Sequence, residues 1–183
     1  MSLGSISKRA IDLAQVQIKP LDPEIGRAAF CCGNDRIDNF FRNNSRDQHT
    51  KNRVRVYVAY LEREPIGYYY LVAATHPPEA VSKEAEEKFG RVKSTPCVYL
   101  GMIGVHGDCQ ENGVGKLLML HAMQKTLEVA NLIGIYALTL EAIDQKTAER
   151  YASWGFSPFI AGELAMYIPI KTIRTALQEA DLI

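Results

Sequence analysis

The chain has 183 residues, and its 21 Lys and Arg side chains balance 21 Asp and Glu side chains. Hydrophobic residues make up 47% of the chain, which excludes a disordered or fibrous protein. The zero net charge excludes a global attraction to nucleic acid or membrane. We expect no membrane-spanning helix, because no run of about 18 apolar residues occurs. We expect a cytoplasmic location, because the first residues contain no apolar secretory segment.

Residues 1–14 are predicted to form an N-terminal tail and residues 15–183 a single domain. Alternating or continuous apolar patterns predict strands over residues 15–19, 54–58, 66–74, 97–105, 135–140 and 164–168. Helices are predicted after Pro23, from Asn34 or Asp35 onward, over residues 117–130, from an Asp144 cap to about Trp154, and over residues 171–180. Strands and helices in this order favour one α/β sheet of mixed strand order.

The cysteines and histidines show no spacing that is typical of a metal site. Cys31, Cys32, Cys97 and Cys109 form no CxxC pair, and the four histidines lie far apart in the chain. We therefore expect no bound metal, and thiols that are mostly buried or inert in a reducing compartment.

Residues 105–116 lie between a buried strand and an amphipathic helix. Gly113 and Gly115 allow close approach of the backbone, and the free N–H groups of a helix start suit a pyrophosphate. A nucleotide-binding P-loop is excluded because Gln110 and Leu117 break its pattern, and Leu118 breaks the dinucleotide fingerprint. The glycines alone leave a simple tight turn as an equal alternative.

Two motifs together resemble the GNAT acetyltransferases. Gln110-x-x-Gly113-x-Gly115 is similar to the family's pyrophosphate loop, and Ala148-x-x-Tyr151-x-x-x-Gly155-Phe156 is similar to its later helix. The resemblance implies an α/β (α+β) fold with a mixed, mostly antiparallel sheet flanked by helices on both faces. It also implies acetyl-CoA as co-substrate, contacted by Ile103, Gly104, Val105, Gln110, Asn112, Gly113, Val114, Gly115, Lys116 and Asp144.

A narrower resemblance, spanning residues 28–178, is to the aminoacyl-tRNA-acetylating toxins of toxin–antitoxin pairs. Residues 30–41 (FCCGNDRIDNFF) resemble their opening motif, and Gly67-Tyr68-Tyr69 resembles their third strand. The resemblance implies acetylation of the α-amino group of aminoacyl-tRNA, inhibition of translation, a small DNA-binding antitoxin and a homodimer. Glu111, Met102 and His106 depart from the pattern, and we expect Glu111 to point to solvent.

The resemblance implies that Tyr151 is the general acid for the leaving thiolate. A phenol has a reference pKa of about 10, above the value of about 8.5 for a thiol, so the phenol stays protonated and can donate to the thiolate. The alternative, that Tyr151 only packs against or orients CoA, stays open. An α-amino group with a pKa of about 7.7–8.0 needs no strong base, and Glu141 and Asp144 fit equally as strand-end and cap residues.

Basic residues indicate where a tRNA acceptor stem could bind. The candidates are Arg42, Arg46, Lys51, Arg91 and Lys93. A solvated surface is the alternative for these charges. Acetylation of a small amine or of a protein or peptide amine, with no RNA substrate, remains the alternative function. A non-catalytic acyl-CoA-binding module is a third interpretation.

Overall fold

The computed structural model describes residues 10–160 and 162–183, and for residues 162 and 163 the backbone alone. The strands are β1 (Gln17–Pro20), β2 (Arg55–Leu61), β3 (Glu64–His76), β4 (Thr95–Val105), β5 (Ala137–Glu141), β6 (Ser157–Phe159) and β7 (Gly162–Pro169). The α-helices are α1 (Asp35–Asn39), α2 (Ser45–Thr50), α3 (Pro78–Val81), α4 (Lys83–Phe89), α5 (Val114–Leu132), α6 (Gln145–Ala152) and α7 (Ile170–Glu179). A π-helical segment, Phe40–Asn44, joins α1 to α2.

The strands form one mixed sheet in the order β1-β2-β3-β4-β5-β7-β6. Strand β1 pairs antiparallel with β2, and β7 pairs antiparallel with both β5 and β6. Strands β4 and β5 are parallel, with Cys97 opposite Ala137 and Leu100 opposite Leu140. The predicted mixed α/β architecture with a mostly antiparallel sheet is therefore confirmed.

Local sequence signals account for several element ends. The Asn34 side chain accepts hydrogen bonds from the N–H groups of Arg36 and Ile37 and so caps α1. Asp144 caps α6 by accepting a 2.7 Å hydrogen bond from the Thr147 N–H, as its position predicts. Helix α5 begins at Val114 and buries Leu118 and other apolar residues along one side.

One expectation about secondary structure is wrong, and one strand lies outside the predicted elements. The segment after Pro23 forms turns and no helix, and the Arg27 guanidinium donates to the carbonyl oxygens of Pro23 and Ile25. Strand β6 was not predicted, because three residues that include Pro158 carry no strand pattern of their own. Its pairing with β7 at the edge of the sheet decides its conformation.

The described residues group into two compact units, with residues up to Tyr70 and Met102–His121 in the first. The core of the first unit is aromatic. Tyr68 stacks on Phe41 with ring centroids 4.4 Å apart, and the Tyr68 hydroxyl donates a 2.7 Å hydrogen bond to the Ile37 carbonyl oxygen. Burial raises the pKa of Tyr68, so the phenol stays a neutral donor.

The second unit comprises Leu71–Gly101 and Ala122–Ile183. Its core includes Val81 and Ala85, which pack with Cys97 and Ala137 of the two parallel strands. Ser82 caps α4 and shares a 3.1 Å hydrogen bond with the hydroxyl of Tyr136. Helices α3 and α4 are thereby fixed to the second unit's part of the sheet.

Candidate functional site

In the first unit, the loop that follows β4 is held by the side chain of Gln110. Its amide nitrogen donates hydrogen bonds to the carbonyl oxygens of Cys32, at 2.7 Å, and Val105, at 3.0 Å. The Gly107 N–H donates a 2.8 Å hydrogen bond to the Cys31 carbonyl oxygen. These bonds position the loop, and the predicted contact of Gln110 with the cofactor stays a prediction.

The first turn of α5 presents backbone donors next to this loop. The first intrahelical bond there runs from the Leu117 N–H to the Gly113 carbonyl oxygen at 3.0 Å. The N–H groups of Val114, Gly115 and Lys116 precede that bond, as the first N–H groups of any α-helix do. They carry the positive end of the helix dipole, which suits an anion such as a pyrophosphate.

Gly113 adopts a backbone conformation that favours glycine, with φ at +83°. A Cβ at this position would lie 3.1 Å from the Cδ1 of Leu13. The Asn112 carboxamide oxygen accepts a 3.3 Å hydrogen bond from the Ile11 N–H. Part of the predicted N-terminal tail therefore packs on this loop, while residues 1–9 lie outside the described residues. Glu111 is exposed, as expected, with φ at +65°.

The end of β4 packs closely against the helical segment at residues 35–39. Gly104 is buried, and a Cβ on it would lie only 2.7 Å from the Cγ2 of Ile37. The neighbouring Ile103 and Val105 are half-buried. Gly104 is therefore required for packing, and the predicted contacts of all three residues with a cofactor stay predictions.

The second unit carries Tyr151 on α6. The side chain is 8% exposed and packs against the rings of Trp154 and Phe156, with centroids 5.8 Å away in each case. Burial raises the pKa of Tyr151 to about 12, so its phenol is protonated at neutral pH. The hydroxyl can therefore donate a proton and cannot serve as a base.

Asp144 is exposed, and its carboxylate is engaged by the start of α6. The hydrogen bonds that Thr147 donates lower the pKa of Asp144. Of the two roles left open by the sequence, the structure provides the helix cap. A contact between Asp144 and a cofactor stays a prediction.

A cavity of about 290 Å³ in the second unit was not predicted from the sequence. Its lining includes His76, Tyr99, Thr139, Glu141, Phe159 and Ala165. The Nε2 of His76 lies 3.2 Å from the hydroxyl oxygen of Thr139. The two residues are 63 positions apart, and a lone histidine at a strand end carries no sequence signal that could have identified the pair.

The five basic candidates for tRNA binding differ in their partners. Three of them pair with acids: Arg42 with Asp38 at 3.7 Å, Arg46 with Glu24 at 2.6 Å and Lys51 with Asp47 at 2.6 Å. Arg91 and Lys93 are exposed, and neither forms an ion pair with another described residue. Their charges are consequently more available to a polyanion than those of the three paired residues.

The cysteines fit the expected pattern only in part. Cys97 and Cys109 are buried, Cys32 is half-buried and Cys31 is exposed. Burial raises the pKa of both Cys32 and Cys97 to about 12, which keeps these thiols protonated and unreactive.

Within residues 10–160 and 162–183, no group of three or more His, Cys, Asp and Glu side chains is arranged to hold a metal ion. Over the same residues, no helix is long and apolar enough to cross a membrane.

Solved structures with similar folds include several toxins of toxin–antitoxin pairs. AtaT complexed with acetyl-methionyl-tRNAfMet is 26% identical, with a TM-score of 0.80 and coverage of 88% of this chain and 99% of that chain. AtaTR bound with acetyl-CoA is 27% identical, with a TM-score of 0.77 and coverage of 90% of this chain and 99% of that chain. A point mutant of KacT is 22% identical, with a TM-score of 0.81 and coverage of 88% and 99%, which shows a shared fold.

Sequence comparison agrees with the structural one. The probable toxin TacT of Sinorhizobium fredii (strain NBRC 101917 / NGR234) is 32% identical over 174 residues, which cover 87% of this chain and 94% of TacT. The sequence model of the acetyltransferase (GNAT) family matches residues 26–156. The predicted GNAT fold and enzyme class are thus confirmed, and the chain belongs to the GNAT family of acetyltransferases.

Proposed function

We propose that this chain transfers the acetyl group of acetyl-CoA to the α-amino group of an aminoacyl-tRNA and so inhibits translation as a toxin. The observation that carries the proposal is the near full-length similarity to AtaT, whose structure holds acetyl-methionyl-tRNAfMet. The similarity to TacT over 94% of that toxin supports it independently.

The loop after β4 fits the acetyl-CoA part of the proposal. The N–H groups of Val114, Gly115 and Lys116 would bind the pyrophosphate, and Gly113 would let it approach the backbone. Backbone N–H groups of Ile103, Gly104 and Val105 would donate to the thioester oxygen. Removal of one such oxyanion donor typically raises the barrier by about 2.7–4 kcal/mol.

The proposed reaction forms a C–N bond and breaks a C–S bond. The uncharged α-amino group attacks the thioester carbon, and the tetrahedral intermediate then expels the CoA thiolate. Tyr151 would donate its phenolic proton to that thiolate, and its raised pKa keeps the proton available at neutral pH. The proton that the amine nitrogen loses must leave by another group or by water.

The proposal extends to partners and location. AtaT has been solved with the C-terminus of the antitoxin AtaR, and the AtaT–AtaR complex has been solved with DNA. We accordingly propose a small DNA-binding antitoxin for this chain, a cytoplasmic location beside its tRNA substrate, and a homodimer.

The proposal is tested by incubating the purified protein with acetyl-CoA and bulk charged tRNA, followed by mass spectrometry of aminoacyl-adenosine. Acetylation of one or a few aminoacyl species is the expected result. A parallel panel of free amines and peptides tests the alternative substrates. Release of CoA by one of those amines, without acetylated aminoacyl-adenosine, would overturn the tRNA proposal and leave a small-amine or peptide acetyltransferase.

A further inference from the structure

We propose that His76 is a catalytic residue that accepts the proton lost by the acceptor amine, and that the cavity lined by His76 and Glu141 receives this amine. The inference rests on the proposed function, which supplies an amine as the acceptor. It names a residue for the proton that the Tyr151 step leaves unassigned.

The cavity lies where the parallel strands β4 and β5 stop pairing. Their register ends at Leu100 and Leu140, and the cavity is lined by Tyr99, Leu140 and Glu141 at this place. In open α/β sheets, ligands bind in the crevice outside the carboxyl ends of the strands, and the cavity lies at that end of the parallel β4–β5 pair. The position of the cavity therefore matches a substrate site.

The hydrogen bonds of Thr139 determine which nitrogen of His76 can accept a proton. We assign the Thr139 hydroxyl as the donor to the Val98 carbonyl oxygen, 3.4 Å away, which makes it the acceptor for the Nε2–H of His76 at 3.2 Å. Nε2 consequently carries the hydrogen of the neutral imidazole, and Nδ1 carries the lone pair. Thr139 is 1% exposed, and Phe159 contacts the imidazole edge-to-face at a centroid distance of 5.1 Å.

The groups around His76 leave the imidazole neutral. The other titratable residues of the cavity are Tyr99 from β4 and Glu141 from β5, while α3, β6 and β7 contribute Ala80, Phe159 and Ala165. Partial burial lowers the pKa of His76, so the base form prevails at pH 7. The exposed Glu141 carboxylate adds a negative charge that attracts an amine in its protonated form.

The proton transfer is balanced within acetyl transfer. After the amine attacks, its nitrogen is positively charged and far more acidic than the free ammonium group. The Nδ1 of His76 takes this proton as the intermediate collapses, and the electron pair of the C–S bond leaves on sulfur. The imidazolium then returns its proton to water, the Tyr151 phenolate regains a proton from water, and no redox partner is needed.

The test compares the wild-type chain with two variants of His76. His76→Gln retains an N–H donor at the position of Nε2 for Thr139 but lacks a base. We expect it to lower kcat/KM for the accepted amine by about 100-fold or more, with unchanged acetyl-CoA affinity by calorimetry. In His76→Ala, we expect added imidazole to restore activity in a dose-dependent way, which a purely structural role would not produce.

The pH profile gives a second readout. Below the pKa of His76, both the amine and the imidazole must lose a proton, so log kcat/KM of the wild type should rise with a slope of about 2. His76→Gln should show a slope of about 1 from the amine alone. Equal slopes, or His76→Gln activity equal to the wild type, would overturn the assignment.

Two sets of acceptor substrates distinguish a failure of the His76 assignment from a failure of the proposed tRNA function. The assay follows CoA release with charged tRNA and, in parallel, with free amines and amino acid methyl esters. A wild-type chain that acetylates only free amines refutes the tRNA substrate, and the His76 variants are then compared on that amine. The control Glu79→Gln, an exposed position on α3, should retain full activity.

Discussion

The side-chain amide of Gln110 donates a 2.7 Å hydrogen bond to the carbonyl oxygen of Cys32, a residue 78 positions earlier in the chain. The same nitrogen donates to the Val105 carbonyl oxygen at 3.0 Å. One side chain thereby joins the end of β4, the loop after it and the segment before α1. We propose that its contribution to acetyl-CoA binding is indirect, because it fixes the loop whose backbone would face the pyrophosphate.

Replacement of Gln110 by Met keeps the length of the side chain but removes the donor. Two partly buried carbonyl oxygens lose a partner, so we expect the free energy of unfolding to fall by about 1–2 kcal/mol. Acetyl-CoA affinity should fall as well, because the loop is no longer fixed. Urea unfolding and calorimetry measure the two effects, and Gln178→Met at an exposed position on α7 is the control. Unchanged affinity in Gln110→Met would contradict the positioning role.

Gly113→Ala tests the backbone conformation of the loop. A Cβ at φ +83° is strained and would lie 3.1 Å from Leu13, so we expect a loss of about 1–2 kcal/mol in unfolding free energy and weaker acetyl-CoA binding. Gly26→Ala is a matched control, since a Cβ there has no heavy atom within 4 Å. Equal effects of the two substitutions would show that the positive φ of Gly113 contributes neither to stability nor to acetyl-CoA binding.

Tyr151→Phe tests the general acid. The phenol is buried and protonated, so its removal should lower kcat for acetyl transfer by about 100-fold or more while acetyl-CoA affinity stays constant. Because the pKa of Tyr151 is about 12, its ionisation should cause no loss of wild-type activity up to about pH 9. Rapid-quench measurement of the rate of acetyl transfer in the wild type and in Tyr151→Phe tests this expectation. Full turnover of Tyr151→Phe would favour the alternative, in which Tyr151 only orients CoA.

His49 gives a prediction about stability and pH. It is buried, its Nδ1 accepts a 3.1 Å hydrogen bond from the Val56 N–H, and burial together with the charge of Arg55 lowers its pKa. The unfolded chain binds a proton near pH 6.5, whereas the folded chain does so only at lower pH. Stability should therefore be complete above about pH 6.5 and decrease as pH falls through the folded pKa.

Urea unfolding of the wild type and His49→Gln between about pH 8 and pH 5 measures this dependence. The variant should lose less stability on acidification, because a histidine whose pKa is lowered in the folded chain has been removed. Identical pH dependence in both proteins would exclude a contribution from His49.

The double substitution Arg91→Glu and Lys93→Glu tests the tRNA surface. Both residues are exposed and unpaired with described acids, so reversal should weaken tRNA binding. The slope of log affinity against log salt should become shallower by about 0.7–0.9 for each phosphate that the variant no longer neutralises. Filter binding at several salt concentrations gives both numbers. Arg46→Glu should weaken tRNA binding less, because Glu24 already pairs with Arg46. Unchanged tRNA binding in the double variant would show that Arg91 and Lys93 belong to an ordinary solvated surface.

Much of the fold could be predicted because its signals are local. Helix α6 begins at its Asp144 cap, helix α5 follows its apolar spacing, and β4 follows a continuous apolar run. Strand β6 could not be predicted, because Ser157–Phe159 is strand only through its pairing with β7. The turns after Pro23 depend on the side chain of Arg27, whose bonds to the backbone replace helical ones.

The sequence by itself determined the strand, glycine loop and helix of residues 97–130, the position of Tyr151 on a capped helix, and the family, since these depend on residue type at short spacing. The tertiary structure alone decided what the polar side chains do. It placed the Gln110 amide on Cys32, paired Arg46 with Glu24 and set His76 against Thr139. Hydrogen bonds reach about 3 Å, and only the folded chain brings residues so far apart in sequence within that distance.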